Sequence, residues 1–355
     1  MKTYYRLTLF LLLTLLLTFY SYTQTAGDSI YRVVFYNVEN LFDPREDSLK
    51  NDEAFTPTGL NHWTFKKLHR KVNNIAKVLI ALGEEKPPDI IGLAEVENFF
   101  VLRQLCYNSP LAKYHYKIVH YDSPDARGID VALLYCPDRV QVIHSEALTI
   151  EFPFEKNSKN RDILYVVATI SQTDSLHLFV NHWTSRYSGY AATIPKRNYY
   201  ASVVRKKVDS LLTQNENANI LIMGDFNDYP TDESMLEVLR AKDFEKESGE
   251  LYNLMFRFLK MANIGTHKRE DFWGCLDQMI VSEALLRGKN HLYVRNRRAN
   301  IFKADFMVVP DEKYGGDKVF RTYSGPKYIG GYSDHLPVFL DLFRLNINRD
   351  FSFDE

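Results

Sequence analysis

The sequence has few cysteines and almost no net charge, and each shortage excludes a class of protein. Its 355 residues include three cysteines, Cys106, Cys136 and Cys275, without a Cys-x-x-Cys spacing. This excludes a thiolate zinc site and a disulfide framework, leaving one bridge at most. The formal net charge of -1 gives no overall basic surface for nucleic acid. A local basic groove would still suffice for an enzyme that must release a phosphodiester product.

Long apolar runs are also scarce, and the only one lies at the N-terminus. Lys2 and Arg6 precede the apolar stretch Leu7–Tyr20, and small or polar residues follow as far as Ala26. This order predicts a signal peptide over residues 1–26, because the run is short for a membrane span of about 20 residues. An uncleaved anchor is the alternative. We therefore expect a secreted or periplasmic protein whose mature part is residues 27–355.

The rest of the chain has no repeat, low-complexity linker or other internal boundary, so we expect one domain. Hydrophobic residues make up 45% of the sequence and aromatic residues 14%, which supports a large core. Apolar periodicity predicts strands and helices that alternate irregularly. The predicted strands include Tyr31–Tyr36, Val131–Tyr135, Leu164–Ile170, Leu176–Val180 and Gly274–Ser282. The predicted helices include Trp63–Leu82, Pro195–Leu212, Ser234–Leu239 and Leu251–Ile264. This alternation indicates an α/β fold with a two-sheet core.

The stretch Ile220–Pro230 shows how polar residues are placed in this chain. An apolar run there ends abruptly in Gly224-Asp225-Phe226-Asn227. Strand side chains alternate, so Asp225 and Asn227 would point the same way from the end of a buried strand. An Asp/Asn-rich turn explains the same residues equally well when the stretch is taken alone.

The same design recurs where other apolar strands stop, and the recurrence favours a site over a set of turns. Carboxylates and amides predominate among these side chains, and no thiolate is present. Such a set suits a hard cation such as Mg²⁺ or Mn²⁺ better than zinc, and we expect that cation to serve phosphoryl chemistry. The strand-end residues are Asn37, Glu95, Asn181, His182, Asp225, Asn227, Asp277, Asp334 and His335.

Six blocks in this order resemble the motifs of the endonuclease/exonuclease/phosphatase superfamily, which includes DNase I. The blocks are Tyr36-Asn37-Val38-Glu39-Asn40-Leu41, Ile91-Gly92-Leu93-Ala94-Glu95-Val96, Asn181-His182-Trp183, Gly224-Asp225-Phe226-Asn227, Leu276-Asp277-Gln278 and Ser333-Asp334-His335-Leu336-Pro337-Val338. The resemblance covers about residues 30–344. It implies a four-layer α/β/β/α sandwich with the site at one end of the two sheets.

The resemblance also implies roles for these residues. Glu95 would be the principal metal ligand, supported by Asn37 and Asp334. His335, oriented by Asp277, would stabilise the transition state or help to activate water. Asp225 would position or deprotonate that water, and Asn227 would hold a non-bridging phosphate oxygen.

The block Asn181-His182-Trp183 bears on the branch of the superfamily. His182 matches a general acid near the leaving oxygen in DNase I-like and phosphatase members, and abasic-site endonucleases have a different residue there. Asn181 would add a phosphate contact.

Arg127 and Arg186 would bind phosphate or make surface salt bridges. The segments around Arg186 and Trp273 are similar to those of secreted bacterial nucleases.

The expected function is a secreted, Mg²⁺-dependent endonuclease of low sequence specificity that acts as a monomer on DNA or RNA. Three alternatives stay open. They are a sphingomyelinase-like phospholipid phosphodiesterase, a phosphatase of small phosphate esters, and a catalytically inactive binding module. The tyrosines between Trp183 and Tyr200 would form a membrane-docking lip in the first alternative and would stack on bases in a nuclease.

Overall fold

A computed structural model describes residues 29–84, 86–170 and 174–345 of the chain. The predicted signal peptide therefore lies outside the described residues. Within these ranges the four α-helices are α1 (Phe65–Gly83), α2 (Phe99–Tyr107), α3 (Tyr190–Gln214) and α4 (Glu283–Arg287). Within the described ranges, no helix has the length and apolar character needed to cross a bilayer.

The strands form two large sheets and three small hairpins. In chain order they are β1 (Ser29–Leu41), β2 (Ile90–Val96), β3 (Lys117–His120), β4 (Asp130–Tyr135), β5 (Val140–Leu148), β6 (Ile163–Ile170), β7 (Asp174–His182), β8 (Ile220–Asp225), β9 (Ala241–Lys242), β10 (Leu251–Asn253), β11 (His267–Arg269), β12 (Phe272–Gly274), β13 (Asp277–Ser282), β14 (Leu292–Val294), β15 (Asn300–Ile301), β16 (Val308–Pro310), β17 (Asp317–Val319), β18 (Tyr323–Ser324), β19 (Lys327–Tyr328) and β20 (Val338–Arg344).

The first large sheet has the order β14-β20-β1-β2-β4-β3, with β15 paired to β20, and the second has the order β5-β6-β7-β8-β13-β10-β9. In each sheet one central pair is parallel, β1 with β2 and β7 with β8, and both pairs are flanked by antiparallel strands. The two sheets pack face to face over a core that includes Val33, Phe35, Val180, Met223 and Met279.

Helices cover the outer faces of both sheets. The apolar stripe of α1, which includes Leu68, Val72 and Ile75, packs with α2 on the first sheet. Tyr200 and Val204 of α3 pack on the second sheet. The layers therefore run helix, sheet, sheet, helix, and the predicted four-layer α/β/β/α sandwich is confirmed.

Several local predictions need correction. Leu251–Ile264 is not a helix: Leu251–Asn253 is strand β10, and only Phe256–Lys260 makes a short 3-10 helix. Pairing with β13 determines this outcome, because tertiary context overrides weak local periodicity. The predicted helix Ser234–Leu239 is a short π-helical segment, Ser234–Val238.

The three cysteines form no disulfide bond with one another. Cys106, Cys136 and Cys275 are all free, and Cys106 and Cys275 are buried. Burial raises the pKa of Cys275 to about 12. These two buried thiols are therefore core side chains and not reactive groups.

Candidate active site

Side-chain alternation along β8 delivers Asp225 to the space between the sheets. Leu221 and Met223 face the other sheet, whereas Ile220 and Ile222 face α3. Asp225 continues the inward series and ends the strand, so its carboxylate lies at the end of the inter-sheet core.

The same alternation places residues from three other strands beside Asp225. Asn37 continues the inward series of β1 after Phe35, and His182 continues that of β7 after Val180. Asp277 begins β13 directly opposite Asp225 in the antiparallel register. Four strands from both sheets therefore deliver polar side chains to one end of the sandwich.

Glu95 reaches the site by a different route. Alternation along β2 would turn it toward the helices, because its neighbour Ala94 faces the other sheet. A bulge breaks the register between Ala94 and Val96, and Glu95 has a left-handed φ of 63°. The Asn40 backbone N–H then donates to Glu95 Oε2 at 2.8 Å. The bulge therefore redirects the carboxylate toward Asn37 and His182.

Asp225 is the centre of the resulting cluster. Its Oδ2 lies 3.7 Å from His182 Nε2 and 3.8 Å from His335 Nε2. Asn37 Nδ2 donates to the same oxygen at 3.1 Å, and the Asn227 backbone N–H donates to Oδ1 at 3.0 Å. Burial raises the pKa of Asp225 to about 7. That value suits a group that accepts a proton near neutral pH.

His335 is held in a fixed orientation by its neighbours. Its Nδ1 lies 2.7 Å from Asp277 Oδ2, and its backbone N–H donates to Ser333 Oγ at 3.0 Å. Burial lowers the pKa of His335, but the Asp277 and Asp225 carboxylates outweigh it and raise the pKa well above the usual range. His335 is therefore an imidazolium that donates to Asp277 and presents Nε2 to the site.

His182 has the opposite electrostatic character. Burial and the nearby Arg161 and Arg127 guanidinium groups hold its pKa well below the usual range. Its Nε2 lies 3.8 Å from Glu95 Oε1, and within the described part of the chain its buried Nδ1 has no hydrogen-bond partner. The two imidazoles on either side of Asp225 thus differ in charge, one neutral and one cationic.

Two carboxylates, Glu39 and Asp334, flank Arg321 next to this cluster. Its Nε donates to Glu39 Oε1 and its Nη2 donates to Asp334 Oδ2, both at 3.1 Å. Burial lowers the pKa of Arg321, but the charges of Asp334, Glu39 and Glu95 outweigh it and raise that pKa. Glu95 and Asp334 supply carboxylate oxygens here, and Asn37, whose Nδ2 lies 3.4 Å from Glu95 Oε1, supplies an amide oxygen. Such a set fits Mg²⁺ or Mn²⁺.

Not every residue predicted for the site contributes its side chain to the cluster. Asn181 points to the helix side of β7, where its amide donates to Met223 O at 3.2 Å and accepts from Trp183 Nε1 at 3.0 Å. Asn227 lies beside Asp225, and its Nδ2 donates to Trp183 O at 3.1 Å. Asn181 therefore supports the strand end, while the side-chain oxygen of Asn227 accepts no hydrogen bond from the residues that the structure describes.

The two predicted arginines occupy different environments. Arg186 donates to Asn227 O and Asp232 Oδ2, both at 2.5 Å, and to Asp228 Oδ1 at 3.0 Å. Its guanidinium therefore holds the Asn227 loop in place. Arg127 is 49% exposed, and its Nε lies 4.0 Å from Asp125 Oδ1, so it is free to meet a substrate.

Sequence reasoning missed Glu39, Arg321 and His267. Glu39 lies two residues after Asn37 at the same strand end, and that spacing was the available signal. The His267 ring is tilted by 44° against the His335 ring, with centroids 4.9 Å apart, and its imidazole belongs to a possible metal-ligand group with Asp334 and His335. Nothing in the sequence indicates that the β11 hairpin or the Arg321 loop folds over the site.

The chain resembles known proteins at the level of a sequence family and of the fold. A sequence model described as "Endonuclease/Exonuclease/phosphatase family" matches residues 32–344. No curated protein sequence matches the chain.

Solved structures of low sequence identity share the fold. Humanized D. rerio TDP2 is 15% identical with a TM-score of 0.55, covering 88% of this chain and 98% of its own. The human Nocturnin catalytic domain with bound sulfate is 15% identical with a TM-score of 0.53, covering 89% and 97%. A Bacteroides thetaiotaomicron mannosyl-6-phosphatase is 19% identical with a TM-score of 0.54, covering 88% and 99%.

Proposed function

Because this chain belongs to the Endonuclease/Exonuclease/phosphatase family, we propose that it is a divalent-metal-dependent phosphodiester hydrolase and acts as a secreted endonuclease of low sequence specificity. The family and the fold support a phosphoric ester hydrolase. D. rerio TDP2 has been crystallised with a single-stranded DNA product, which supports nucleic acid as the substrate class.

One observation carries the proposal: Asp225 Oδ2 lies between His182 Nε2 and His335 Nε2 at 3.7 and 3.8 Å. A phosphate ester placed there would meet a base, a cation and a neutral imidazole together. Asp225 accepts a proton from the attacking water, and the His335 imidazolium offsets charge on the phosphate oxygens. The negative charge of the bound phosphate raises the pKa of His182. The imidazole then takes up a proton from solvent as the substrate binds and passes it to the leaving oxygen.

Mg²⁺ or Mn²⁺ would be held by Asn37, Glu95 and Asp334, whereas both oxygens of Glu39 are occupied by Arg321 and the Thr322 backbone N–H. The cation would offset negative charge on the scissile phosphate. The chain itself keeps this acidic set assembled through Arg321, which bridges Glu39 and Asp334.

The exposed surface favours nucleic acid over a lipid substrate. A membrane-docking lip would need several exposed apolar side chains between Trp183 and Tyr200, but Trp183 and Tyr200 themselves are buried. Tyr187 and Tyr190 are exposed there, and Tyr190 donates its hydroxyl to Asp232. Two separated tyrosines suit stacking on bases better than insertion into a bilayer.

The inactive binding module has less support. A chain without catalytic work would be expected to lose the orientation of its catalytic groups. Here the His335–Asp277 pair, the Asn37 contact to Asp225 and the Glu95 bulge are all in place. The mannosyl-6-phosphatase among the structural neighbours keeps phosphatase activity as the second enzymatic candidate.

The test is hydrolysis by the mature protein with Mg²⁺, using plasmid DNA, RNA, sphingomyelin and inositol phosphates as parallel substrates. We expect cleavage of the nucleic acids. Cleavage of sphingomyelin or of the inositol phosphates alone would contradict the endonuclease assignment.

Secretion is part of the proposal and rests on the sequence of residues 1–26. Expression of the full chain with its N-terminus intact, followed by N-terminal sequencing of the exported protein, tests it. A mature N-terminus near Gly27 is expected, and retention of Met1 in a membrane fraction would indicate the uncleaved anchor.

A further inference from the structure

A basic cavity opens beside the strand end that carries His182. It has a volume of about 490 Å³, and its wall includes Arg127, Lys159, Arg161, Lys196 and Tyr187. Thr184, two residues after His182, also lines the cavity. The Cα atoms of two residues separated by two positions lie at most about 7 Å apart. The cavity therefore adjoins the Asp225 cluster, to which His182 belongs.

Arg161 connects this cavity to the reaction site. The buried guanidinium donates from Nε to His182 O at 2.8 Å and from Nη2 to Trp183 O at 2.7 Å. A group bound in the cavity therefore lies against the segment that positions His182. The simplest occupant is a second part of the same substrate.

The charges of the wall favour an anionic occupant. Its two carboxylates are already paired. Glu155 Oε2 lies 2.6 Å from Lys196 Nζ, and Asp125 Oδ2 lies 3.0 Å from Arg161 Nη1. Lys159 is exposed and makes no ion pair with any described residue. Lys159 and Arg127 thus leave an excess of about two positive charges at the mouth of the cavity.

An aromatic side chain stands at the same mouth. Tyr187 is 99% exposed, on the 3-10 turn Arg186–Ser188, and its backbone N–H donates to Ser185 Oγ at 3.1 Å. Exposed aromatic rings beside cations are the combination that binds single-stranded nucleic acid, through stacking on bases and contact with phosphates. A free phosphate would use the cations but not the ring.

We propose that this cavity is a subsite for the phosphate next to the scissile one on a nucleic acid strand, with Lys159 contacting that phosphate and Tyr187 stacking on the adjoining base. The inference rests on the proposed function and narrows it, because it makes a chain of at least two phosphates the preferred substrate.

The test measures binding without turnover. Fluorescence anisotropy of a labelled single-stranded DNA of about 12 nucleotides is recorded with the mature protein in EDTA, over a series of salt concentrations. The variants are Lys159→Ala and Tyr187→Ala. Lys206→Ala is the matched control, because Lys206 is an exposed lysine of α3 outside the cavity wall.

We expect Lys159→Ala to weaken binding about fivefold and to make the slope of log affinity against log salt shallower by about 0.7, the loss of one phosphate contact. We expect Tyr187→Ala to weaken binding at least about fivefold with the salt slope unchanged. Lys206→Ala should bind like the wild type. Absence of wild-type binding, or a Lys159→Ala protein indistinguishable from Lys206→Ala, would overturn the subsite.

The same proteins distinguish this failure from a failure of the proposed function. Hydrolysis of DNA by the wild type together with equal binding by both lysine variants contradicts the subsite alone. Alternatively, DNA binding can be salt-dependent and weakened by Lys159→Ala while no protein hydrolyses DNA when Mg²⁺ is restored. That result supports the subsite and contradicts the catalytic proposal.

Discussion

Asp277 makes the largest contribution to keeping His335 cationic, through its charge and through one hydrogen bond. Asp277 is buried, its Oδ2 lies 2.7 Å from His335 Nδ1, and its charge helps to raise the pKa of His335. An amide in its place keeps the shape but cannot stabilise an imidazolium.

Asp277→Asn should therefore lower the pKa of His335 and reduce kcat for a small phosphodiester by about a hundredfold or more. NMR titration of His335 and steady-state kinetics measure the two effects. Asp271→Asn, an exposed carboxylate in the β11–β12 turn, is the matched control. Wild-type kcat in Asp277→Asn would show that the pair is structural.

Glu97 gives a residue-scale prediction about stability. The side chain is buried, its Oε2 accepts from the Asp43 backbone N–H, and burial raises its pKa to about 8. The folded state thus keeps a proton that the unfolded chain loses above about pH 4.5. The free energy of unfolding should consequently fall as the pH rises from about 4.5 to about 8.

Glu97→Gln removes this titration. Relative to that of the wild type, the free energy of unfolding of the variant should increase by at least about 1 kcal/mol between pH 5 and pH 8. Urea denaturation at both pH values is the measurement. Parallel pH profiles for the two proteins would contradict the raised pKa.

At the scale of secondary structure, the close approach of strands β7 and β8 positions the site. This close approach depends on Gly224. A Cβ at Gly224 would lie 2.5 Å from both the Cβ and the backbone O of Asn181, which leaves no room for a side chain. The glycine before Asp225 is thus required by packing between neighbouring parallel strands.

Gly224→Ala should cost about 1–3 kcal/mol of stability and lower activity, because the strand must shift and carry Asp225 with it. Chemical denaturation and hydrolysis assays measure both effects. Gly249→Ala is the control, since the nearest atom to its added Cβ is the flexible Lys242 Cδ at 3.1 Å. Equal stability of the two variants would contradict the packing argument.

The elements also show why prediction from sequence succeeded unevenly. Alternation along a strand predicts that four side chains share one end of the sandwich, because the side-chain period is fixed. They are Asn37, His182, Asp225 and Asp277. Alternation does not predict the direction of the Glu95 side chain, which depends on a bulge. The helix predicted over Leu251–Ile264 was wrong because pairing of β10 with β13 determined its first residues.

At the scale of the molecule, the four-layer sandwich followed from the six ordered motifs, whereas the surface around the site did not. The Arg321 loop and the β11 hairpin reach the site through long-range contacts such as Arg321 with Glu39 and His335 with His267. Local patterns carry no information about such contacts. The substrate beyond the phosphate is determined by this surface, and the cavity at Lys159 is part of it.

The central claim is that the converged strand ends form a metal-dependent phosphodiesterase site, and nicking of supercoiled plasmid DNA tests it most directly. The mature wild-type protein is compared with His335→Ala, Glu95→Gln and the surface control Lys206→Ala, in Mg²⁺ and in EDTA. We predict Mg²⁺-dependent nicking by the wild type and Lys206→Ala, and a loss of about a hundredfold or more in His335→Ala and Glu95→Gln. Nicking that persists in EDTA, or at wild-type rate in His335→Ala, would contradict the account.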